Sequence, residues 1–419
     1  MKVPPQDSLG LYVSVPFCRS KCTYCNFSSG VYPAGQHARY VARVVEEMAA
    51  ARAWAARMGV ELPRAVDSMY MGGGTPTLLA PELLAQMFAS MRAEFDLEAG
   101  AEITVECAPG QLPDGALAAM AAAGVNRVSL GVQSFIDREA AVTGRLHSRA
   151  TALDDMRRLR AAGITNLSVD LIAGLPGQTF ASWRESLAVL VDCGVSHASI
   201  YMLEVDKDSR LGRELLARGA RYHAGLVPTD DAIVRMYSEA IETLACAGIE
   251  QYEISNFSRP GFASCHNLRY WQRRPYLGLG LDASSMLCAA TRSRAGQVLR
   301  TASSCDLKAW FDKPQPEESV WLSRAQQHEE AWFLGLRMRA GVDADAVERE
   351  FGPKLAMSAL EAAARLERDG LVAVEGRIIR LTAQGRLLSN DVFLEFLDLD
   401  AHTDEACARD ANSKPLPRQ

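Results

Sequence analysis

LYVSVPFCRSKCTYCNF, Leu11–Phe27, runs from an alternating, β-branched segment straight into three cysteines, Cys18, Cys22 and Cys25. The first seven residues predict a strand. The loop behind them holds three thiols within eight residues. That number is odd, so the set does not close into disulfides, and it is one short of the four ligands of a structural zinc. Thiolate sulfur favours zinc, Cu(I) and iron–sulfur clusters. A 4Fe–4S cluster takes one cysteine per iron in the usual case. A CxxxCxxC loop wrapped round such a cluster leaves one iron open to a small molecule. Arg19 and Lys21 would offset the cluster's negative charge, and Phe17, Tyr24 and Phe27 would shield it from water. Two other readings stay open here: a zinc completed by a distant fourth ligand, and ordinary buried or free cysteines. The other seven cysteines, Cys107, Cys193 and Cys246 among them, are isolated and read as core residues.

Outward from this loop, residues 11 to about 255 alternate short apolar runs with longer helical patterns. Strands are predicted at 11–17, 68–72, 101–106, 126–132, 166–172 and 197–203, and helices at 36–58, 80–94, 113–123, 149–162, 179–193 and 229–247. Gly124, Gly163, Gly194 and Gly248 stand where helices end before the next strand. Six β–α units imply a parallel sheet, here an α/β partial (β/α)6 barrel. In such folds chemistry gathers at the C-terminal ends of the strands. The unusual polar groups fall there: the cysteine loop after the first strand, GGGTPT (Gly72–Thr77) after the second, Glu106 ending the third, Gln133 after the fourth, Asp170 in the fifth and Glu204 ending the sixth.

Past 255 the pattern changes. Residues 256–320 read as structured loop and connection, with helices at 325–340 and 354–369. Residues 370–397 read as a β-ribbon and helix, giving a small α+β module resembling a winged helix. The expected division is a barrel over 1–255, a loop region over 256–320, a C-terminal module over 321–400 and a disordered tail over 401–419. In 419 residues, 48% hydrophobic, a sizeable core is available. A net charge of −6 argues against a general nucleic-acid binder. MKVPPQDSLG has no apolar h-region, and no run of about 18 apolar residues predicts a membrane helix. The expected compartment is the cytoplasm.

CxxxCxxC after a first strand, with an aromatic residue before the last cysteine, resembles the radical S-adenosylmethionine (SAM) proteins. The resemblance implies that SAM binds the open iron through its amino and carboxylate groups, and that one electron splits it into methionine and a 5′-deoxyadenosyl radical. It places the methionine end of SAM against Gly73, Gly74 and Thr75. It also implies Glu106 as acceptor for the ribose hydroxyls, Gln133 as donor and acceptor, Arg145 against the SAM carboxylate, Asp170 at the nucleoside, and Tyr12 and Tyr24 flanking the cluster loop.

QYEISNFSRPG followed by HNLRYW (His266–Trp271) and YLGLG is similar to the HemW branch, the heme-binding radical-SAM chaperones, whose relatives are the oxygen-independent coproporphyrinogen III oxidases. The oxidases carry a further cysteine in CxxxCxxCxC, where this chain has Asn26 and Phe27. They also have a longer segment before the cysteines, where only 17 residues precede Cys18. The chaperone is therefore the expectation: heme held and delivered to apo-hemoproteins such as respiratory enzymes, some of them membrane-associated, with a reductant protein serving the cluster and the C-terminal module covering the open side and docking the recipient. The rivals are radical decarboxylation of coproporphyrinogen, a radical-SAM enzyme on another substrate, and a non-redox binding module. For heme, His266 is a candidate iron ligand, Cys265 a competing thiolate, Asn267 an orienter of the imidazole, and Tyr270 and Trp271 flat faces for the porphyrin. Many relatives have a glycine and a histidine after GLG. Here GLGLDASSM has Asp282 and Ser284.

Overall fold

The computed structural model describes residues 8–313 and 316–397. It divides into two compact units: the chain to Tyr270 with Arg274–Trp321, and Trp271–Arg273 with the chain from Leu322 onward. The first unit opens with β1 (Leu9–Val15), α1 (Gly35–Met58), β2 (Ala65–Gly73), α2 (Pro81–Glu94), β3 (Asp96–Cys107), α3 (Asp114–Ala122) and β4 (Arg127–Gln133). It continues with α4 (Asp137–Val142), α5 (Arg149–Ala161), β5 (Asn166–Ala173), α6 (Phe180–Asp192), β6 (His197–Met202), α7 (Arg210–Leu216) and α8 (Asp230–Cys246). β1 to β6 pair in parallel and in sequence order, as the β–α rhythm predicts.

Side chains of a strand alternate between faces, and here the alternation decides what the barrel encloses. Leu11, Val13, Met69, Met71, Val105, Val128, Leu130, Val169 and Ile200 are all buried. The residues between them are polar or small. In register, Tyr12 lies beside Tyr70, Tyr70 beside Thr104 and Thr104 beside Arg127. One step nearer the C-terminal rim come Ser14 beside Gly72, and Glu106 beside Ser129. Gly131 then pairs with Asp170, and Asp170 with Ser199. One face of each strand packs under helices, and the other lines a polar lumen.

After β7 (Glu250–Gln251), the region read as structured loop and connection carries short elements: β8 (Asn256–Ser258), α9 (Cys265–Trp271), β9 (Tyr276–Leu279), β10 (Ser284–Cys288), β11 (Val298–Ala302), α10 (Leu307–Asp312) and β12 (Glu318–Leu322). These strands extend the sheet at both edges, in the order β12-β11-β10-β9-β1-β2-β3-β4-β5-β6-β8-β7. β9 joins β1 in parallel, while β8 runs antiparallel to β6.

Cys265–Tyr270 of α9 plugs the N-terminal end of the barrel. Glu102 of β3 caps it, accepting from Cys265 N (3.0 Å), His266 N (3.2 Å) and Ser264 Oγ (3.2 Å). Orphan N–H groups at a helix start need such acceptors, and the carboxylate also suits the positive end of the helix. Arg269, fully buried, bonds the backbone oxygens of Ser8 and Pro275 and pairs with Asp67.

The second unit has α11 (Arg324–Arg337), β13 (Val342–Asp343), α12 (Ala344–Phe351), α13 (Pro353–Arg368), β14 (Val372–Glu375), β15 (Ile378–Leu381), α14 (Ala383–Leu387) and α15 (Ser389–Leu394). β13, β15 and β14 form an antiparallel sheet in that order. Ser323 and Gln326 make a capping box at α11, and Trp332 stacks on Phe396 at 5.1 Å. The tail after residue 400 lies outside the described residues. Among those described, no helix is long and apolar enough to cross a membrane.

Candidate functional site

The cysteine loop leaves β1 and is stitched down on every side. Cys18 N donates to Gly30 O (2.8 Å), Gly30 N to Pro16 O (2.9 Å), Thr23 N to Thr143 O (3.0 Å) and Leu211 N to Thr23 O (2.8 Å). Lys21 Nζ folds back onto Phe27 O (2.8 Å) and Ser29 O (3.0 Å), so this cation fastens its own loop. The loop after β2 is joined to it, since Gly74 N donates to Val15 O and Thr75 N to Phe17 O. Cys22 is buried, and Cys18 and Cys25 are half-buried. Burial pushes the Cys18 thiol up, opposed by hydrogen bonds from Ser29 and Thr75.

Arg145 stands against this loop. Its Nη1 lies 3.6 Å from Cys22 Sγ, and its Nη2 donates to Gly131 O. Its Nε is buried with no hydrogen-bond partner, as is Thr23 Oγ1 beside the cysteines. A buried guanidinium with an unspent donor, set beside three thiols, fits a site built for negative charge. Among the described residues no three His, Cys, Asp or Glu side chains gather as they would round one ion. A cluster spreads its cysteines over different irons, and three thiols on one loop suit it.

Round the same rim, Glu106 accepts from Tyr70 Oη (2.7 Å) and Gly73 N (3.0 Å). Burial pushes its carboxyl up to about 7; the Tyr70 bond opposes the rise, and the Asp170 charge adds to it. Asp170 is raised by burial and eased by Ser199 and Ser129, whose Oγ lies 3.1 Å from Oδ1. Gln133 ends β4 after a bulge with φ +69°, a left-handed conformation that costs a non-glycine residue free energy and gathers at functional sites. Tyr24 packs with Leu215, Tyr222 and Val227 on the cluster of Ile172, Leu175, Leu203, Leu211 and Ala224, and burial holds its hydroxyl protonated.

The glycine run has a second reason to be glycine. A Cβ on Gly72 would meet Glu106 Cδ at 2.7 Å, and one on Gly74 would meet the carbonyl oxygens of Val15 and Phe17 at 2.7 Å. Gly73, at φ +97°, would bring a Cβ to 3.1 Å from Ser14 Oγ.

The structure thus brings Cys18, Cys22, Cys25, Tyr24, Gly73, Gly74, Thr75, Glu106, Gln133, Arg145 and Asp170 to one end of the barrel. Tyr12 points into the lumen below, its ring 6.2 Å from that of Tyr70. Glu204 is exposed. Sequence reading missed Tyr70, Ser129 and Ser199, which hold the two carboxylates, and the period-two polar positions carried that signal. It also missed Ser29.

His266, Cys265, Asn267 and Tyr270 lie at the opposite end, in the plug. His266 is 0% exposed. Its Nδ1 meets Ser68 Oγ at 3.2 Å and its Nε2 meets Tyr270 Oη at 2.8 Å, while burial lowers its pKa to about 3. Both ring nitrogens, the atoms a heme iron would use, are engaged inside the barrel. The Tyr270 hydroxyl is likewise spent on His266, and its ring packs edge-on against Tyr276. Asn267 N bonds Ser264 Oγ at 3.3 Å. Cys265 is exposed and Trp271 half-buried.

Residues 12–190 match the radical SAM superfamily and residues 322–388 the HemN C-terminal domain. With the three-thiol rim at the end of a parallel barrel, this makes the chain a radical SAM protein, a class whose cofactors are a 4Fe–4S cluster and SAM. The heme chaperone HemW of Lactococcus lactis is 32% identical over 388 residues, covering 92% of this chain and 96% of that protein. The Bacillus subtilis heme chaperone HemW is 31% identical, with coverages of 92% and 98%. The Bos taurus mitochondrial radical S-adenosyl methionine domain-containing protein 1 is 31% identical, with coverages of 94% and 88%. The chain belongs to the HemW family. The solved structure of coproporphyrinogen III oxidase (HemN) from Escherichia coli superposes with a TM-score of 0.78 at 22% identity, over 94% of this chain and 91% of that one. At that identity the likeness is one of fold.

Proposed function

We propose that this protein binds heme and delivers it to apo-hemoproteins from the cytoplasm, under control of a 4Fe–4S cluster and SAM. The observation that carries the reading is the extent of the likeness to heme chaperones, which runs through both units and covers 92% of the chain. The cluster supplies an electron and SAM a cleavable sulfonium when bound. Cys18, Cys22 and Cys25 would each hold one iron. Arg145 would offset the negative charge of the thiolates, with its Nε left to meet the SAM carboxylate. Gly73, Gly74 and Thr75 present backbone to the methionine end. Glu106 and Asp170, as carboxylates, accept from the nucleoside, with Gln133 and Tyr12 beside them. Tyr24 and its apolar neighbours keep water from the cluster. A reductant protein and recipients at the membrane complete the scheme, and the C-terminal unit, read as a winged-helix-like module, is the surface for the recipient. For heme, Cys265, Asn267 and Trp271 remain the candidates from HNLRYW, with His266 and Tyr270 as their frame.

The test is anaerobic reconstitution, hemin titration, and transfer of the bound heme to an apo-cytochrome. A Soret band that moves to the recipient supports the reading. Formation of protoporphyrinogen from coproporphyrinogen and SAM would replace it with the oxidase.

A further inference from the structure

Asp282 follows the GLG turn, and the structure gives it work. Its Oδ2 accepts a 2.8 Å hydrogen bond from Ser28 Oγ, across 254 residues of sequence. Ser28 lies three residues past Cys25. Its neighbour Ser29 is buried, with Oγ 4.0 Å from Cys25 Sγ and in hydrogen-bond contact with Cys18. Ser29 N donates to Phe27 O at 2.7 Å, closing a tight turn about Ser28. A hand on Ser28 therefore fixes the turn that presents Ser29 to the thiols.

The platform under Asp282 is rigid. Asp282 N donates to Ser304 O (2.9 Å) and Ala283 N to Ser303 Oγ (2.8 Å). Gly280 N donates to Glu47 Oε2 (2.9 Å), and Leu281 N to Tyr40 Oη (2.9 Å), which itself donates to Ser14 O (2.7 Å) at the end of β1. The turn is thus bolted to α1, β1 and β11. Asp282 holds φ +55°, where glycine is at ease and aspartate is among the tolerated exceptions. On the other flank, Asn26 Nδ2 donates to Asp206 in the loop after β6. Two carboxylates from two sides of the rim grip the residues directly behind the third cysteine.

We infer that Asp282, opposed by Asp206, is a positioning residue that presets the cluster loop in the absence of iron and places a negative charge beside the cluster when it is present. The second half rests on the cluster reading, and the first does not.

The experiment uses the full chain. Hydrogen exchange on iron-free protein compares wild type with Ser28→Ala, Asp282→Gly, the double variant and Asp282→Asn. One surface hydrogen bond to a carboxylate predicts about three- to tenfold faster exchange at Cys18, Ser29 and Gly30 in either of the first two variants. The double variant should match the singles, because both lose the same bond. Asp282→Asn keeps an acceptor and should restore protection. In reconstituted protein, Asp282→Gly should lose iron to a chelator faster by a similar factor. Asp282→Asn should hold its iron but titrate at a higher midpoint potential, since charge near a cluster tunes its reduction. Unchanged exchange in both Ser28→Ala and Asp282→Gly overturns the latch. An unchanged midpoint in Asp282→Asn overturns the charge role. Failure of wild type to take up iron would strike the cluster reading alone, leaving the exchange result to stand.

Discussion

Replacing Glu106 by glutamine should change stability in a way that depends on pH. The folded carboxyl is raised from 4.5 to about 7, chiefly by burial. A raised acid is a penalty on folding at high pH: it is absent below about 4.5, grows as pH climbs, and is complete above about 7. A rise of that size corresponds to about 3 kcal/mol. Glutamine stays neutral and escapes the penalty. It has one oxygen to offer where Glu106 accepts from both Tyr70 Oη and Gly73 N, so it leaves one buried donor unmet, at about 1–3 kcal/mol. Glu106→Gln should therefore be the less stable protein at pH 5 and should match or exceed wild type at pH 8. The swing between the two pH values should be about 2–3 kcal/mol. Urea unfolding of iron-free protein, followed by tryptophan fluorescence, reads it. Equal destabilisation at both pH values would show that Glu106 is an ordinary ionised carboxylate, and the account of the lumen as a low-dielectric pair with Asp170 would fail.

Other substitutions divide ligand roles from structural ones. Arg145→Met removes the buried cation 3.6 Å from Cys22 and should cut the iron retained after reconstitution, read by metal analysis, and weaken SAM binding by tenfold or more. Gln133→Gly relieves the left-handed backbone and should raise the thermal stability of SAM-free protein by about 1 kcal/mol while lowering SAM affinity in calorimetry. Gly74→Ala drives a Cβ into two carbonyl oxygens and should destabilise the barrel by more than about 2 kcal/mol, measured as a lower unfolding midpoint without any ligand. His266→Ala should leave the Soret band of bound heme in place and cost about 2–4 kcal/mol of stability. A lost band would return the imidazole to the heme site.

The parts of this molecule that were legible in its sequence are those held by local pattern. Strands such as NLSVDLI and helices ended by Gly163 or Gly194 announce themselves within ten residues. CxxxCxxC is legible for the same reason, because its meaning lies in its own spacing. The edge strands were not, since β8 and β9 have three and four residues and sit among Gly, Pro and aromatics. α9 hid because its buried face carries His266 and Arg269, which do not look like a core stripe. Their partners, Ser68, Asp67 and Glu102, lie some 160 to 200 residues upstream. The Ser28–Asp282 bond, between residues 254 apart, has no sequence signal at all.

The most direct test is electron paramagnetic resonance on anaerobically reconstituted, reduced protein, with and without SAM. Three cysteines and one open iron require about four irons and four sulfides per chain, with a cluster signal that changes shape when SAM is added. Zinc in the loop, or a cluster signal indifferent to SAM, would contradict the assignment of Cys18, Cys22 and Cys25 on which the whole account stands.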